Sequence, residues 1–290
     1  MFKRIIILFS AFLLLGLGKR IFNWSRGNWD GKAQISLAIE TNTGKILIFI
    51  LTPAKNMSTV VIVPGESIVE TPWFGAYQAK KLSLLAKQEG TPSVFSRSLA
   101  YFLGMPIDRG FIETNLSVDQ YDKKTIRSKL RRFFSPFRSI DNLRIWHWLG
   151  SREHVWKIIN LVDFGRETSL PDGSSVLVVD TKAISDRFWE LFTDPMIKNE
   201  DIPVSVFNSG EVSGLAEKAA IIIRNFGGRV VEVADRKMEE EEECLILISG
   251  FVPEHTATVR RLESVFGCRS KVGEREGIGD IQILFKNVKM

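Results

Sequence analysis

The sequence has few of the residues that most often carry catalysis or bind metals. It contains three histidines and two cysteines in 290 residues. The histidines His147, His154 and His255 show neither metal-ligand spacing nor a catalytic pairing, and no serine or cysteine nucleophile motif is visible. Cys244 and Cys268 are too far apart in sequence for a zinc site. The sequence therefore predicts no metal centre and no nucleophilic active site of a common type.

The composition is that of a folded protein with excess positive charge. Hydrophobic residues make up 44% of the chain, charged residues 25%, and the formal net charge is +5. A chain of this length can bury a large core and is predicted to form two domains. The positive charge favours anionic partners such as nucleic acid, anionic lipid or a phosphorylated polymer. Charge alone does not choose among them.

The N-terminus is an apolar run flanked by basic residues. Residues 5–18 are uncharged, which is short for a bilayer span, but flanking lysines and arginines can extend the reach of such a run. No small-residue cleavage site is visible, so residues 1–22 are predicted to be an uncleaved membrane anchor; a signal peptide and a buried cytosolic helix are the alternatives. The bulk of the chain is expected outside the cytoplasm, although charges on both sides leave the orientation open. There Cys244 and Cys268 could form a disulfide, and two unpaired core cysteines are the alternative.

Residues 30–193 alternate strand-like and helical patterns. Apolar runs at 35–39 and 46–51 flank the turn-forming segment ETNTGK and predict a hairpin, and a buried strand follows at 59–63. Two helical patterns come next, and the alternation predicts an α/β sandwich. The segment DPMIKNED, residues 194–201, is predicted to be a linker to a second domain at 201–290.

The second domain shows a β-α-β-β-α-β order. Its apolar runs lie at 204–207, 230–233, 245–248 and 281–285, with helical patterns at 214–226 and 254–266. Asn208 and Gly210 are predicted to form a tight turn, and Gly214 is predicted to allow close approach where the helix begins. The glycine spacing fits neither a dinucleotide-binding loop nor a P-loop, so the turn is interpreted as structural.

Residues 121–148 are strongly basic. Ile126, Leu130 and neighbouring phenylalanines recur at helical spacing, which predicts an amphipathic helix with a cationic face, bent or ended by Pro136. One interpretation is a solvated face. The other is contact with a membrane or polyanion, meaning anionic head groups or pyrophosphate, through Arg127, Arg131 and Arg132. The predicted anchor disfavours nucleic acid, and no nucleic-acid partner is predicted.

The stretch IPVSVFNSGEVSGLAEKAAIIIRNFGGRVVEV and the ending GDIQILF resemble the LytR C-terminal domain, which is found in cell-envelope proteins of the LytR-CpsA-Psr family. This resemblance covers residues 201–289. It implies a location in the cell envelope more directly than it implies an activity.

The preceding part resembles the transferase domain of the same family. The stretches that carry the resemblance are KILIFILTPAKNMSTVVIVPGESIV, GAYQAKKLS and LGMPIDRGFIETN. That domain has an α/β fold and moves a glycopolymer from a polyprenyl pyrophosphate carrier to peptidoglycan, with arginines and acidic residues holding pyrophosphate and magnesium. The resemblance implies anion or carrier contacts for Lys81, Arg97, Asp108 and Arg109, with surface or strand-end structural roles as the alternative.

The chain departs from the family pattern at the catalytic positions. Residues 42–45 read Asn-Thr-Gly-Lys where the family has Arg-Ser-Asp-Thr, and residues 64–66 read Pro-Gly-Glu where it has Pro-Arg-Asp. Phosphoryl transfer needs positive charge and metal to neutralise developing negative charge, so these losses should slow it severely. We therefore predict a degenerate, non-catalytic domain over residues 30–193, without a cofactor, that binds cell-wall glycopolymer, polyprenyl pyrophosphate or an assembly partner. The alternatives are an active phosphotransferase that uses magnesium, Glu66, Lys81 and Arg109, and a purely architectural membrane-surface protein.

Overall fold

The computed structural model describes residues 29–112, 114–118, 120–136, 138–151, 154–210, 212–236, 242–273 and 277–286. The predicted anchor, residues 1–22, lies outside these ranges. No helix within them is long and apolar enough to cross a membrane. The described residues divide into two compact units: a smaller one formed by residues 29–32 and 118–154, and a larger one formed by residues 33–117 and 155–286.

The described residues form fourteen strands and eight helices, which gives the α/β fold that the sequence predicts. The strands are β1 Ile35–Glu40, β2 Ile46–Thr52, β3 Met57–Val63, β4 Ile68–Thr71, β5 Gly75–Gln78, β6 Arg109–Phe111, β7 Val155–Asn160, β8 Gly165–Ser169, β9 Ser175–Val179, β10 Pro203–Asn208, β11 Arg229–Asp235, β12 Cys244–Ile248, β13 Arg269–Val272 and β14 Ile281–Phe285. The helices are α1 Leu82–Gln88, α2 Ser93–Leu103, α3 Lys123–Phe133, α4 Ile140–Gly150, α5 Thr181–Phe192, α6 Pro195–Glu200, α7 Leu215–Asn225 and α8 Ala257–Phe266.

The first sheet of the larger unit has the strand order β6-β1-β2-β3-β7. The predicted hairpin is confirmed: β1 and β2 pair antiparallel, with Glu40 opposite Ile46. Every residue of β2 and β3 is buried, because these central strands are covered on both faces and need apolar side chains on both. Helix α2 packs against β4 and β6 and ends at Gly104, whose φ of +63° suits glycine.

The second sheet has the order β11-β10-β14-β12-β13. It contains all four predicted strands of the C-terminal segment, and both predicted helices are present between them as α7 and α8. It also has one strand more than predicted, β13, which pairs in parallel with β12 at the edge of the sheet. A hydrophobic cluster of the larger unit takes residues from both sheets, so the two halves of this unit share a core.

The segment predicted to be a linker forms helix α6 instead. Asp194 is 1% exposed and caps this helix by accepting a hydrogen bond from the backbone N–H of Met196 at 2.9 Å. The other carboxylate oxygen of Asp194 accepts from the backbone N–H of Gln34 at 2.8 Å. Proline at the first helical position suits a helix start, because its fixed φ is already helical there. These bonds tie the segment to the first sheet.

The smaller unit is built around the basic helix. The predicted amphipathic helix is confirmed as α3, which ends at Phe133, three residues before Pro136. Asp122 caps it by accepting hydrogen bonds from the backbone N–H groups of Lys124 and Thr125, at 2.9 and 3.0 Å. Helix α3 packs against α4, and its apolar residues Ile126 and Leu130 are buried, while Phe133 at its end is half-buried.

Candidate functional site

Three loops of the larger unit meet where the sequence departs from the family pattern. They are the β1–β2 turn (residues 41–45), the loop between β3 and β4 (residues 64–67) and the 3-10 turn Ala79–Lys81. Lys80 donates a backbone hydrogen bond to the carbonyl of Gly65 at 3.0 Å, and a Cβ added at Gly44 would lie 3.0 Å from the Cβ of Lys80. We call these three segments the loop cluster. The two departures, at residues 42–45 and 64–66, therefore lie in one place.

The backbone around Gly65 leaves no room for a side chain at this position. A Cβ added there would lie 2.8 Å from the carbonyl oxygen of Gly44, and 3.2 Å from the Cβ of Lys80. Gly44 itself has a φ of +75°, which side chains other than glycine rarely adopt. Because the obstruction at Gly65 is backbone, an arginine at this position would require the β1–β2 turn to move. The path of these loops therefore leaves no room for the arginine that the resemblance implies at position 65.

Two charged side chains of the loop cluster form a surface pair. The Nζ atom of Lys80 lies 3.7 Å from Oε1 of Glu66, and both side chains are well exposed. Such a pair contributes at most about 1 kcal/mol to stability. Lys81, a predicted anion contact, lies in the same 3-10 turn and is exposed. Within the described ranges, no group of three or more His, Cys, Asp or Glu is placed to hold a metal ion.

Asp108, another predicted anion contact, lies in a buried polar network. Nη1 of Arg261 in α8 donates to Oδ2 of Asp108 at 2.5 Å and to the carbonyl of Gln34 at 2.6 Å. Nη2 donates to the Ser36 hydroxyl at 3.1 Å, and the Ser36 backbone N–H donates to Asp108 at 2.7 Å. The side chains of Asp108 and Arg261 are each 5% exposed. Asp108 thus joins the first sheet to the C-terminal segment and has little surface left for a ligand.

Arg97 and Arg109 occupy two further positions. Arg97 of α2 lies beside Gly267, where a Cβ would collide with its guanidinium, and burial lowers the pKa of Arg97. Arg109 is half-buried on the edge strand β6, opposite Leu37. Arg97 and Asp108 therefore both face the region of α8, while Lys81 lies in the loop cluster. The role of the four residues in anion or carrier binding stays a prediction.

The three arginines predicted to contact a membrane or polyanion line one cleft of the smaller unit, with a volume of about 1130 Å³. We call it the basic cleft. Its lining residues are Asp122, Lys123, Lys124, Arg127, Ser128, Arg131, Arg132, Ser135, Pro136, Trp146 and Gly150. The sequence predicts the cations of this set but not Trp146.

The arginines of the basic cleft are held in different ways. Arg127 donates to the carbonyls of Leu149, Gly150 and Ser151 at 2.6, 2.7 and 2.8 Å, so it caps the end of α4. The guanidinium of Arg131 lies 4.1 Å from the ring centre of Trp146, a cation–π contact. Arg132 is exposed.

No protein-family model and no curated protein matches the chain. The chain is similar to solved structures of LytR-CpsA-Psr proteins. One is TagT of Bacillus subtilis, at 11% identity, with 57% of this chain and 92% of that chain covered and a TM-score of 0.42. Another is TagU of Bacillus subtilis, at 13% identity, with 55% and 96% covered and a TM-score of 0.38. A third is TagT with bound octaprenyl pyrophosphate lipid, at 9% identity, with 58% and 93% covered and a TM-score of 0.39. At these identities and TM-scores the likeness carries no argument about what this chain binds.

The turn after β10 is held by its own residues. Asn208 accepts a hydrogen bond from the backbone N–H of Gly210 at 3.2 Å and donates from Nδ2 to the carbonyl of Val212 at 3.0 Å. Gly210 packs so closely against the carbonyl of Lys286 that a side chain there would collide. Gly214 has a φ of +76° immediately before α7. Asn208 and Gly210 therefore form a tight turn. The close approach predicted at Gly214 is wrong, because a Cβ added there would meet no atom of the described residues within 4 Å, and it is the positive φ that suits glycine.

Cys244 and Cys268 are joined by a disulfide, with their Cα atoms 4.8 Å apart. The bond connects the start of β12 to the segment between α8 and β13, which are neighbours through the pairing of β12 with β13. The sequence leaves the choice between a disulfide and two free cysteines open. The structure contains the disulfide.

Sequence reasoning misses the residues that join distant segments. Arg261 lies on the otherwise apolar face of the helical pattern at 254–266, which is a weak signal of a buried charge with a partner. Glu200, at the end of α6, accepts hydrogen bonds from the backbone N–H groups of Ala257 and Thr258 at 2.6 and 2.8 Å and so caps α8. No local pattern identifies a cap that comes from a residue more than fifty positions earlier.

Proposed function

We propose that this chain is a membrane-anchored, extracytoplasmic cell-envelope protein that binds a phosphate-bearing glycopolymer or its polyprenyl carrier and does not transfer it. The observation that carries the non-catalytic assignment is the lack of room for a side chain at Gly65. The family resemblance implies an arginine at this position, and here the carbonyl of Gly44 lies 2.8 Å from the point where a Cβ would be.

The chemistry of phosphoryl transfer supports this assignment. The reaction depends on fixed cations and metal that neutralise the charge developing on the transferred group. An arginine offers a planar fork of donors to phosphate, whereas a lysine offers a single flexible charge. In the loop cluster, Lys80 already pairs with Glu66 at 3.7 Å. The cluster is therefore poorly equipped to stabilise a transition state.

The placement in the envelope rests on other features. The apolar N-terminal run between basic residues supports an anchor. The resemblance of residues 201–289 to the LytR C-terminal domain supports the envelope, and the Cys244–Cys268 disulfide fits an oxidising compartment. The basic cleft supports an anionic ligand. Fractionation of cells into membrane and soluble fractions tests the anchor, and recovery in the cytosol would contradict it.

A transfer assay tests the non-catalytic assignment. The full chain in nonionic detergent is incubated with magnesium, a polyprenyl-pyrophosphate-linked saccharide and a peptidoglycan acceptor. We expect no transfer above a no-protein control, while an active enzyme of the family gives product under the same conditions. Magnesium-dependent transfer by this chain would overturn the assignment.

One observation favours the alternative, an active phosphotransferase. The carboxylate of Glu66 is exposed in the loop cluster, with Lys80 in contact and Lys81 in the same turn. In that case magnesium would be needed, and Glu66→Ala would abolish the transfer. Under our proposal Glu66→Ala and the wild-type chain behave alike in this assay.

A further inference from the structure

The basic cleft concentrates positive charge in a concave surface. Five of its lining residues are cations and one, Asp122, is a carboxylate. Oδ1 of this carboxylate accepts the two hydrogen bonds that cap α3, and hydrogen bonds from Thr125 and Lys124 lower the pKa of Asp122. The pKa of the nearby His154 is lowered by burial and then by the charges of Arg127 and Lys123, which agrees with a positive potential.

Two of the arginines of the cleft are already ordered. Arg127 is fixed by three backbone carbonyls, and Arg131 rests on the ring of Trp146. The Nε atom of Arg131 is buried and has no hydrogen-bond partner among the described residues. An anion that enters the cleft would therefore meet side chains whose conformational entropy has already been lost in folding, which favours binding.

The faces of α3 argue against a flat membrane as the ligand. A helix that lies on a bilayer inserts an exposed apolar face between the head groups. Here Ile126 and Leu130 are fully buried, as is Phe134 just after the helix. The outward side of the described helix carries lysine and arginine instead, with Lys124 and Arg132 exposed. This side suits a ligand that supplies charge and no hydrocarbon.

We propose that the basic cleft binds successive phosphate groups of a linear anionic polymer. The cations lie along one side of α3 at positions 124, 127, 131 and 132, so the cleft can contact more than one phosphate of an extended chain. Phosphate oxygens match the donors of guanidinium and ammonium groups. The inference rests on the proposed function for the class of ligand, and it assigns the binding to a surface outside the loop cluster.

A charge-reversal experiment tests this site. The full chain in nonionic detergent is titrated with short inorganic polyphosphate, and binding is followed by calorimetry. The double variant Lys124→Glu/Arg132→Glu changes two exposed cations of the cleft and leaves Arg127, the helix cap, intact. The matched control, Lys129→Glu/Arg138→Glu, makes the same change in charge at residues that do not line the cleft.

We expect the cleft variant to weaken polyphosphate binding by about tenfold or more relative to the control variant, since two cation–phosphate contacts become repulsive. Binding should also weaken as salt is raised. Equal affinities of the two double variants would overturn the proposal, because the attraction would then come from net charge alone.

A second arm distinguishes a lipid head group as the source of phosphate. Mixed micelles of the same detergent with phosphatidylglycerol replace polyphosphate. Binding to these micelles without binding to polyphosphate would overturn the proposal in favour of a membrane surface. Absence of transferase activity is measured separately, so a failure of the cleft leaves the non-catalytic assignment standing, and a positive transfer assay leaves the cleft standing.

Discussion

Replacing Arg261 by methionine should strongly destabilise the larger unit. The change keeps an apolar stem of similar length but removes the guanidinium that contacts Asp108, Gln34 and Ser36. Asp108 is 5% exposed, so its carboxylate would lose its charged partner away from water, although the backbone N–H of Ser36 still donates to it. Breaking a buried ion pair in this way costs about 3–5 kcal/mol. We therefore expect Arg261→Met to lower the free energy of unfolding by about 3–5 kcal/mol.

The neighbouring Arg260 provides the matched control. It lies on the same helix and is exposed, so Arg260→Met should change the free energy of unfolding by about 1 kcal/mol or less, the most that an exposed polar contact contributes. Urea unfolding of the full chain in nonionic detergent, followed by far-ultraviolet circular dichroism, measures both variants. If Arg261→Met and Arg260→Met had the same effect, the buried network would not be holding α8 to the first sheet.

A double-variant cycle separates the ion pair from other losses. Asp108→Asn removes the charge that Arg261 neutralises, and the combined variant Asp108→Asn/Arg261→Met removes both charges. The double variant should lose less free energy of unfolding than the two single variants lose together, by more than about 1 kcal/mol. The reason is that the two side chains are in direct contact. Strict additivity would refute the coupling.

Three further predictions concern other parts of the chain. Gly65→Ala should cost about 1–3 kcal/mol, since its Cβ would lie 2.8 Å from the Gly44 carbonyl, whereas Gly250→Ala, which has open space around it, should be nearly neutral in the same unfolding assay. Reduction of the Cys244–Cys268 disulfide, whose sequence separation is 24, should cost about 3 kcal/mol, and an unchanged denaturation midpoint in reducing agent would count against this. Burial lowers the pKa of His154, so the folded state binds fewer protons there, and stability should fall as the pH drops below about 6.5, the ordinary pKa of histidine. Unfolding midpoints between pH 7.5 and 5.5 test this, and His154→Asn should flatten part of the slope.

The sequence predicts those parts of the fold that local patterns determine. Continuous apolar runs identify β2 and β3, because both faces of these strands are covered. The sequence does not show β13, whose residues Arg-Ser-Lys-Val are largely exposed and carry no apolar alternation. An edge strand with one partner has little need for an apolar face, so its signal is weak.

The candidate site is predicted less completely than the fold. The departures at residues 42–45 and 64–66 are visible in the sequence. The close contact between the backbone of Gly44 and Gly65 is visible only in the structure, because it depends on the path of both loops. Asp108 matches a family motif, and only the structure shows that Arg261, more than a hundred residues later, occupies it. Contacts between residues so far apart in sequence depend on how whole helices and strands pack, and a single sequence contains no local pattern for them.

The positive charge of the chain does not measure its capacity to bind anions, because its arginines serve different purposes. Arg261 is used in the core, and Arg127 caps a helix. Neutralising either would disturb the fold and weaken binding indirectly, so such variants cannot locate a ligand site. The exposed cations, Lys124 and Arg132 in the basic cleft and Lys81 in the loop cluster, make the sharper test. An anion that binds through Lys124 and Arg132 but not through Lys81 would assign recognition to the basic cleft and not to the loop cluster.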